Sequence, residues 1–202
     1  MAPRPPRPGE HPEPPADLPS RRLSVISLRG PWYRIHRREH SALHFGRSTE
    51  KRFDAPAKQY GVLYLGEDAH GAFIEVFGES TGINVVSYDA LAQRLVSKIE
   101  ARRPLTLVNL TGPGLARIGA DGRLVTGDYG VAQRWALALW SHPSKPDGLH
   151  YRARHDQSRT SVAIFNRVKH VMRATSMDRL VDRRHEGLLA DILDTYGFAL
   201  LR

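Results

Sequence analysis

Tyr64 and Glu75, two residues whose side chains can do chemistry, lie eleven positions apart where the sequence predicts a strand followed by a helix. The stretch from Gly61 to Leu65 is short and apolar and is closed by Gly66, which predicts a buried strand. Apolar residues then recur at helical spacing: Ala69, Ala72, Phe73, Val76 and Phe77. Such a strand and helix bring an aromatic ring, which stacks on planar groups, and a carboxylate, which stabilises positive charge, to one pocket.

Each of these two residues also has a structural interpretation. Glu75 lies off the apolar stripe of the predicted helix, where glutamates are usually solvated. Tyr64 on a buried strand is typical of a core residue whose hydroxyl reaches the rim. The spacing alone therefore leaves both interpretations open.

Length and composition predict one soluble domain. The chain has 202 residues, of which 41% are hydrophobic. No apolar run reaches the roughly 18 residues of a membrane span, and no signal peptide is recognisable, so we expect a cytoplasmic protein without membrane attachment. The absence of cysteine excludes disulfides and thiolate chemistry. The formal charge of +9 comes mainly from arginine, which suits a phosphate-rich partner but is more typical of a compositional bias.

The first 22 residues differ in composition from the rest. Eight prolines occur in the first twenty positions, interspersed with charged residues. A segment this poor in apolar surface predicts a disordered arm over residues 1–22, whose removal should leave stability nearly unchanged. Residues 23–202 are predicted to form the folded domain.

The remaining elements alternate irregularly, which predicts an α+β fold. The strands we expect are Leu23–Arg29, Trp32–Arg37, Ile83–Ser87, Leu105–Leu110, Tyr151–Arg154 and Val162–Phe165. The helices we expect, besides the one carrying Glu75, are Asp89–Glu100, Leu115–Ile118, a helix capped by Asp128 and ending near Trp140, and Arg183–Tyr196. Residues 44–57 and 155–159 are expected to form loops.

Common catalytic motifs are missing from the sequence. It contains no phosphate-binding G-x-x-x-x-G-K-[ST], no G-x-G-x-x-G and no H-E-x-x-H. His36, His40 and His44 recur at four-residue spacing, but no carboxylate pair accompanies them, so we expect no metal.

Several short motifs, taken in order, resemble the RES domain family, which includes toxins of Xre–RES toxin–antitoxin pairs. They are Tyr33-Arg34-Ile35, Arg52-Phe53-Asp54, Gly61-Val62-Leu63-Tyr64-Leu65, Ala72-x-x-Glu75, Leu105-Thr106-Leu107-Val108-Asn109-Leu110, Gln133-Arg134-Trp135-Ala136 and Asp147-Gly148-Leu149-His150-Tyr151. The resemblance covers about residues 23–170. It implies mixed sheets with flanking helices, similar to ADP-ribosyltransferases, and cleavage of NAD+ as substrate by hydrolysis, phosphorolysis or ADP-ribosyl transfer.

The resemblance also implies roles for individual residues. Glu75 would be the catalytic carboxylate and Tyr64 the aromatic residue beside the nicotinamide. Arg34 would hold the pyrophosphate, with Tyr33, Arg52 and Ser161 as further NAD-binding residues. Where the family has Tyr-x-Ser, this chain has Tyr151-Arg152-Ala153, so either Ala153 replaces the serine or Ser158 or Ser161 serves instead.

A partner is implied as well. The resemblance suggests restraint by a separate Xre-type antitoxin, and it leaves a homo-oligomer possible. The alternative function is a nucleic-acid-binding protein with a basic C-terminal patch, although no nucleic-acid-binding module is recognisable. The residues of that patch would be Arg152, Arg154, Arg159, Arg167, Lys169 and Arg173.

Overall fold

The computed structural model describes residues 11–79 and 82–202. In this part of the chain there are ten strands: β1 Val25–Leu28, β2 Trp32–Arg37, β3 Val62–Gly66, β4 Val85–Ser87, β5 Arg94–Ala101, β6 Leu105–Leu110, β7 Gly148–Arg152, β8 Thr160–Phe165, β9 Met172–Asp178 and β10 Ala199–Leu201. The α-helices are α1 Ala69–Phe77, α2 Tyr88–Ala92, α3 Pro113–Ile118, α4 Arg123–Thr126, α5 Tyr129–Ser141 and α6 Glu186–Tyr196. Short 3-10 helices occupy Leu18–Ser20, Asn166–Val171 and Arg183–His185.

Eight strands form one large curled sheet in the order β1-β6-β7-β8-β3-β2-β5-β9. Neighbouring strands run antiparallel except β6 and β7, which are parallel. The strands β4 and β10 form a separate parallel pair. This mixed sheet with flanking helices confirms the predicted α+β class.

The two faces of the large sheet bury different clusters. One face packs against α5 around Trp135, Tyr60 and Phe165, and against α1 and α6 around Phe73 and Ile192. The other face encloses a third cluster that includes Trp32, Leu63, Ile99, Leu107 and Val162. Because side chains alternate along a strand, successive residues within β2, and likewise within β3, point to opposite faces of the sheet.

Strand β2 separates from β3 near the middle of the sheet. In the described chain the two strands pair only at Tyr33 and Gly66. Further along, an isolated bridge joins Gly46 to Val62, while β2 continues beside β5. The sheet is therefore split on one side of β3.

One predicted helix is wrong. Residues Asp89–Glu100 were expected to be helical because Leu91, Leu95 and Ile99 recur every four residues. The chain instead leaves α2 after Ala92 and forms β5 from Arg94 to Ala101. Strand β5 pairs with β2 on one side and with β9 on the other, so sheet pairing outweighs the local helical pattern.

Residues 11–22, the described part of the N-terminal segment, contact the folded domain, in contrast to the disorder predicted for them. Leu18 is buried in the core, with 1% of its surface exposed. The indole N–H of Trp135 donates to the Pro12 carbonyl at 2.7 Å, and Arg134 pairs with Glu13. Proline lacks an N–H but keeps its carbonyl as an acceptor, so a proline-rich segment can still bind to a helix face. The part of the arm before residue 11 lies outside the described residues.

Candidate active site

Strand β3 and helix α1 hold Glu75 in place. The side chain of Asp68 caps α1 by accepting from the Gly71 N–H at 2.7 Å, and β3 ends at Gly66 just before this turn. A Cβ at Gly66 would lie 2.6 Å from the Ala72 nitrogen, so only glycine allows this close approach. The unit predicted from the sequence is therefore present, with a rigid connection between Tyr64 and Glu75.

One carboxylate oxygen of Glu75 fixes the loop after β7. Its Oε1 accepts from the backbone N–H groups of Arg154, at 2.8 Å, and His155, at 3.2 Å. Among the described residues no group bonds to Oε2, and the side chain is half-buried. Glu75 is thus oriented by backbone donors while its second oxygen stays available to a ligand.

The hydroxyl of Tyr64 is occupied within the protein. It donates to Asp54 Oδ1 at 3.0 Å and accepts from the Phe53 N–H at 3.0 Å. Burial, reinforced by the carboxylate of Asp54, raises the pKa of Tyr64 well above its ordinary value. The hydroxyl therefore stays protonated, and what Tyr64 offers a ligand is its ring rather than acid–base chemistry.

Arg52, Tyr129 and Arg154 form a stacked cluster. The guanidinium carbon of Arg52 lies 4.4 Å from the centre of the Tyr129 ring, and Arg154 Nη1 donates to the Tyr129 hydroxyl at 2.9 Å. Arg52 Nη1 donates to the Gly127 carbonyl at 2.8 Å, whereas its buried Nη2 has no hydrogen-bond partner among the described residues. Burial lowers the pKa of Arg52, and the nearby positive charge of Arg154 also acts in this direction. A buried guanidinium with an unpaired donor is suited to an anionic ligand.

A row of paired residues crosses four strands on the face that carries Tyr64. Tyr33 is opposite Gly66, Gly66 is opposite Ser161, and Ser161 is opposite Tyr151. Side chains of directly paired residues point to the same face, so Tyr33, Ser161 and Tyr151 share it. The hydroxyl of Ser161 is buried, and no group in the described part of the chain hydrogen-bonds it.

Tyr151 connects this row to Glu75 and Arg52. Burial is the main cause that raises the pKa of Tyr151, and the negative charge of Glu75 adds to it while Arg52 opposes it. The ring packs edge-on against Phe53, with 4.8 Å between ring centres. Tyr151 thus lies within the electrostatic reach of both Glu75 and Arg52, although the sequence alone did not single it out as a site residue.

Arg34 points away from this group. It follows Tyr33 in β2 and so faces the opposite side of the sheet. Its Nη1 donates to the carbonyls of Ser41, at 3.0 Å, and Ala42, at 2.8 Å, and burial lowers its pKa to about 10. The structure therefore places Tyr64, Ser161 and Tyr33 on one face of the sheet, with Glu75 and Arg52 near Tyr151 of the same face, and places Arg34 on the opposite face.

Comparison with known proteins shows the family of the chain. The RES domain profile matches residues 31–184, about three quarters of the chain. The chain belongs to the RES domain family. A curated relative, the "probable toxin y4kH" of Sinorhizobium fredii, is 30% identical over 107 residues, which cover 52% of this chain and 81% of the relative.

The fold has a counterpart among solved structures. A chain in the crystal structure of the M. tuberculosis MbcT–MbcA toxin–antitoxin complex is similar to this RES domain with a TM-score of 0.64. The match covers 82% of this chain and 92% of that chain at 16% identity, so it shows a common fold. It confirms the expectation of mixed sheets with flanking helices that came from the resemblance.

Ala153, which stands where the resemblance leads us to expect the serine of Tyr-x-Ser, is fully buried. Two serines were expected as substitutes. Ser158 is exposed, and its hydroxyl donates to Asp156 in the same loop. Ser161 lies on the face of Tyr64, and no described residue hydrogen-bonds its buried hydroxyl.

A charged network connects the two segments that carry the site. Arg159 pairs with Asp68 at the start of α1 and with Asp156 at 3.0 Å. It also donates through Nε to the Tyr196 hydroxyl at 3.0 Å, and that hydroxyl donates to Asp156 at 2.9 Å. This network thus holds together the start of α1, the loop after β7 and the end of α6. Glu75, further along α1, bonds to the same loop.

The basic residues of the alternative function do not form one free surface. Arg159 is engaged in this network, and Arg152 donates to the Ser158 carbonyl at 3.0 Å. Arg167 stacks over Trp140, with 5.0 Å between its guanidinium carbon and the ring centre, and Arg173 pairs with Glu100 at 2.9 Å. Most of the predicted patch therefore serves local structure.

The histidines at four-residue spacing do not share one site in the structure. His36 contacts Ser97 Oγ at 2.8 Å inside the sheet, while His40 stacks on His44 with 5.8 Å between ring centres. In residues 11–79 and 82–202 no three His, Cys, Asp or Glu side chains form a metal-binding group. No helix in those ranges is long and apolar enough to cross a membrane.

Proposed function

We propose that this RES domain is the toxin of a toxin–antitoxin pair and cleaves NAD+ at the bond between nicotinamide and ribose. The observation that carries the proposal is the orientation of Glu75, with one oxygen held by two backbone N–H groups and the other without a partner in the described chain. Family membership and a curated relative described as a probable toxin support the role.

Cleavage of this bond requires a group that stabilises the positive charge developing on the ribose. When the bond breaks, nicotinamide leaves with the bonding electron pair and the ribose becomes oxocarbenium-like. The free oxygen of Glu75 would accept a hydrogen bond from a ribose hydroxyl and stabilise this charge as it develops, which is worth about 3–4 kcal/mol. The acceptor, whether water, phosphate or a protein side chain, then adds to the ribose carbon and loses a proton.

The other residues of the face would bind the substrate. The unpaired Nη2 of Arg52 is suited to a pyrophosphate oxygen, and the Tyr64 and Tyr33 rings offer apolar contact with the nicotinamide end. Ser161 would hydrogen-bond the substrate through its free hydroxyl. Arg34 donates to two loop carbonyls at the split between β2 and β3. We propose that its remaining N–H groups contact the phosphates of NAD+ from the side of the sheet opposite Tyr33.

A toxin of this kind acts in the cytoplasm and needs restraint. We propose that an Xre-type antitoxin binds over the face that carries Glu75 and Arg52. The fold-related structure contains a toxin and an antitoxin in complex, which supports the search for such a partner.

Incubating the purified protein with NAD+ tests the proposal. Chromatography should show free nicotinamide together with ADP-ribose in phosphate-free buffer, a phosphorylated ADP-ribose when phosphate is the acceptor, or a labelled protein when transfer dominates. NAD+ that remains intact under all three conditions would refute the proposed activity. Tight, steeply salt-dependent RNA or DNA binding would then favour the nucleic-acid alternative.

A further inference from the structure

A cavity lies on the sheet face opposite Tyr64. Its volume is about 240 Å³, the space of roughly eight water molecules, so it has room for a ligand of about eight to ten non-hydrogen atoms. Most of its lining is apolar: Ile26, Leu28, Gly30, Pro31, Trp32 and Val162. Glu67, His150 and Thr160 contribute the polar groups of the lining.

The His150 ring presents an acceptor to this cavity. Its Nδ1 lies 3.4 Å from Asn109 Oδ1, which already accepts from the Thr111 N–H and hydroxyl. Since Asn109 Oδ1 is an acceptor, Nδ1 carries the hydrogen and Nε2 keeps its lone pair. Burial lowers the pKa of His150, which favours this neutral form, although the charge of Glu67 partly opposes the shift. No described group bonds to Nε2.

Glu67, which is exposed at the rim, provides a second acceptor and a negative charge, and among the described residues that line the cavity no other carries a formal charge, although Arg152 lies near enough to act on His150. Its Oε2 accepts from the Thr160 hydroxyl at 2.5 Å, and no described residue bonds to Oε1. An anion is disfavoured beside this carboxylate. A metal ion would need further ligands, whereas the described chain has no group of three metal-binding side chains that includes these two.

We propose that this cavity binds a small organic cation, a flat or alkyl body bearing an amidinium, guanidinium or ammonium group. The cationic N–H groups would donate to Glu67 and to His150 Nε2. The apolar body would pack between Trp32, Leu28 and Val162. Since His150 and Tyr151 are neighbours in β7 and face opposite sides, the cation site lies on the face opposite Tyr64 and Ser161, and the proposal does not depend on the NAD+ cleavage proposed above.

Benzamidine, a planar amidinium of nine non-hydrogen atoms, is a suitable probe. In a titration followed by backbone amide NMR, we expect saturable shifts at Glu67, His150 and Val162 with a Kd of about 1 mM or tighter. Benzyl alcohol, which has a similar body without charge, should not saturate these shifts.

Two variants decide where the cation binds. Glu67→Gln should weaken benzamidine binding by about 10- to 100-fold, because it removes the charge from the hydrogen bond. Glu75→Gln removes a carboxylate from the opposite face and should leave the affinity unchanged. Absence of saturable shifts in the parent protein, unchanged affinity in Glu67→Gln, or weakened affinity in Glu75→Gln would each overturn the proposal.

Discussion

Replacing Glu75 by glutamine separates the two functions that the structure gives this side chain. The amide oxygen of glutamine can still accept from the Arg154 and His155 N–H groups, so the loop after β7 should stay in place. At the free position an NH2 group replaces a carboxylate oxygen. That change turns the acceptor into a donor and removes the negative charge, which the proposed reaction requires.

The magnitude follows from these contacts. Hydrogen bonds to charged groups are about twice as strong as neutral ones, so the loop contacts of the variant should weaken by about 1 kcal/mol at most. Loss of one preorganised charge-stabilising group costs a factor of about 10²–10³ in turnover. Glu75→Gln should therefore keep its fold and its NAD+ affinity and lose most of its rate.

The assay is steady-state release of nicotinamide, combined with thermal unfolding and NAD+ binding by calorimetry. Glu79→Gln is the matched control, because Glu79 follows the same helix, is exposed and makes no described contact with the loop. Turnover of Glu75→Gln at the parent rate would remove Glu75 from the mechanism. A large drop in melting temperature would show that the charge of Glu75 serves the loop instead.

Three further predictions concern residues around the site. Arg52→Lys keeps the charge but loses the planar fork, so KM for NAD+ should rise about tenfold with little change in kcat; equal changes in both would argue against a binding role. Arg159→Gln removes the cationic partner of Asp68 and Asp156, so both kcat and the melting temperature should fall, with partial rescue by Arg159→Lys. A stable variant with the parent kcat would show that Arg159 does not position α1. Leu18→Ala should destabilise the protein by about 2–5 kcal/mol in chemical unfolding, because Leu18 is buried in the core; an unchanged unfolding midpoint would mean that this segment contributes nothing.

The sequence predicted local elements well where pattern and pairing agree. The strand at β3, the helix α1 and the N-cap at Asp128, which accepts from the Val131 N–H at 2.9 Å, all follow from side-chain type and spacing. These signals are local, so no knowledge of the rest of the fold is needed.

Elements that depend on distant partners were not predictable in this way. Strand β5 has a helical pattern of leucine and isoleucine and becomes a strand only between β2 and β9. The segment from residue 11 to 22 has few apolar residues, yet the contacts of Leu18 and Pro12 with the domain order it. Its removal should therefore lower stability, contrary to the expectation from composition alone.

The candidate site shows the same division. Glu75 and Tyr64 follow from one strand–helix unit, whereas Tyr129 comes from a helix that reaches Arg52 only through the tertiary fold. The resemblance, which rests on motif order, implies that Arg34 holds the pyrophosphate. Strand alternation assigns Arg34 and Tyr33 to opposite faces, a signal present in the sequence that motif order cannot convey.

Ser161 provides a test in which stability and activity should change in opposite directions. Its hydroxyl is buried without a partner, which costs free energy in the substrate-free protein, about 1–3 kcal/mol for an unsatisfied group. Ser161→Ala removes this cost and leaves only a small void, so the melting temperature should stay constant or rise. If the hydroxyl bonds to the substrate, nicotinamide release should fall by about tenfold, because that bond is lost. Ser158→Ala is the control, since the Ser158 hydroxyl is exposed and bonds to Asp156. A stabilised Ser161→Ala protein with full activity would exclude Ser161 from substrate binding and would mean that Ala153 leaves this RES domain without a serine at the site.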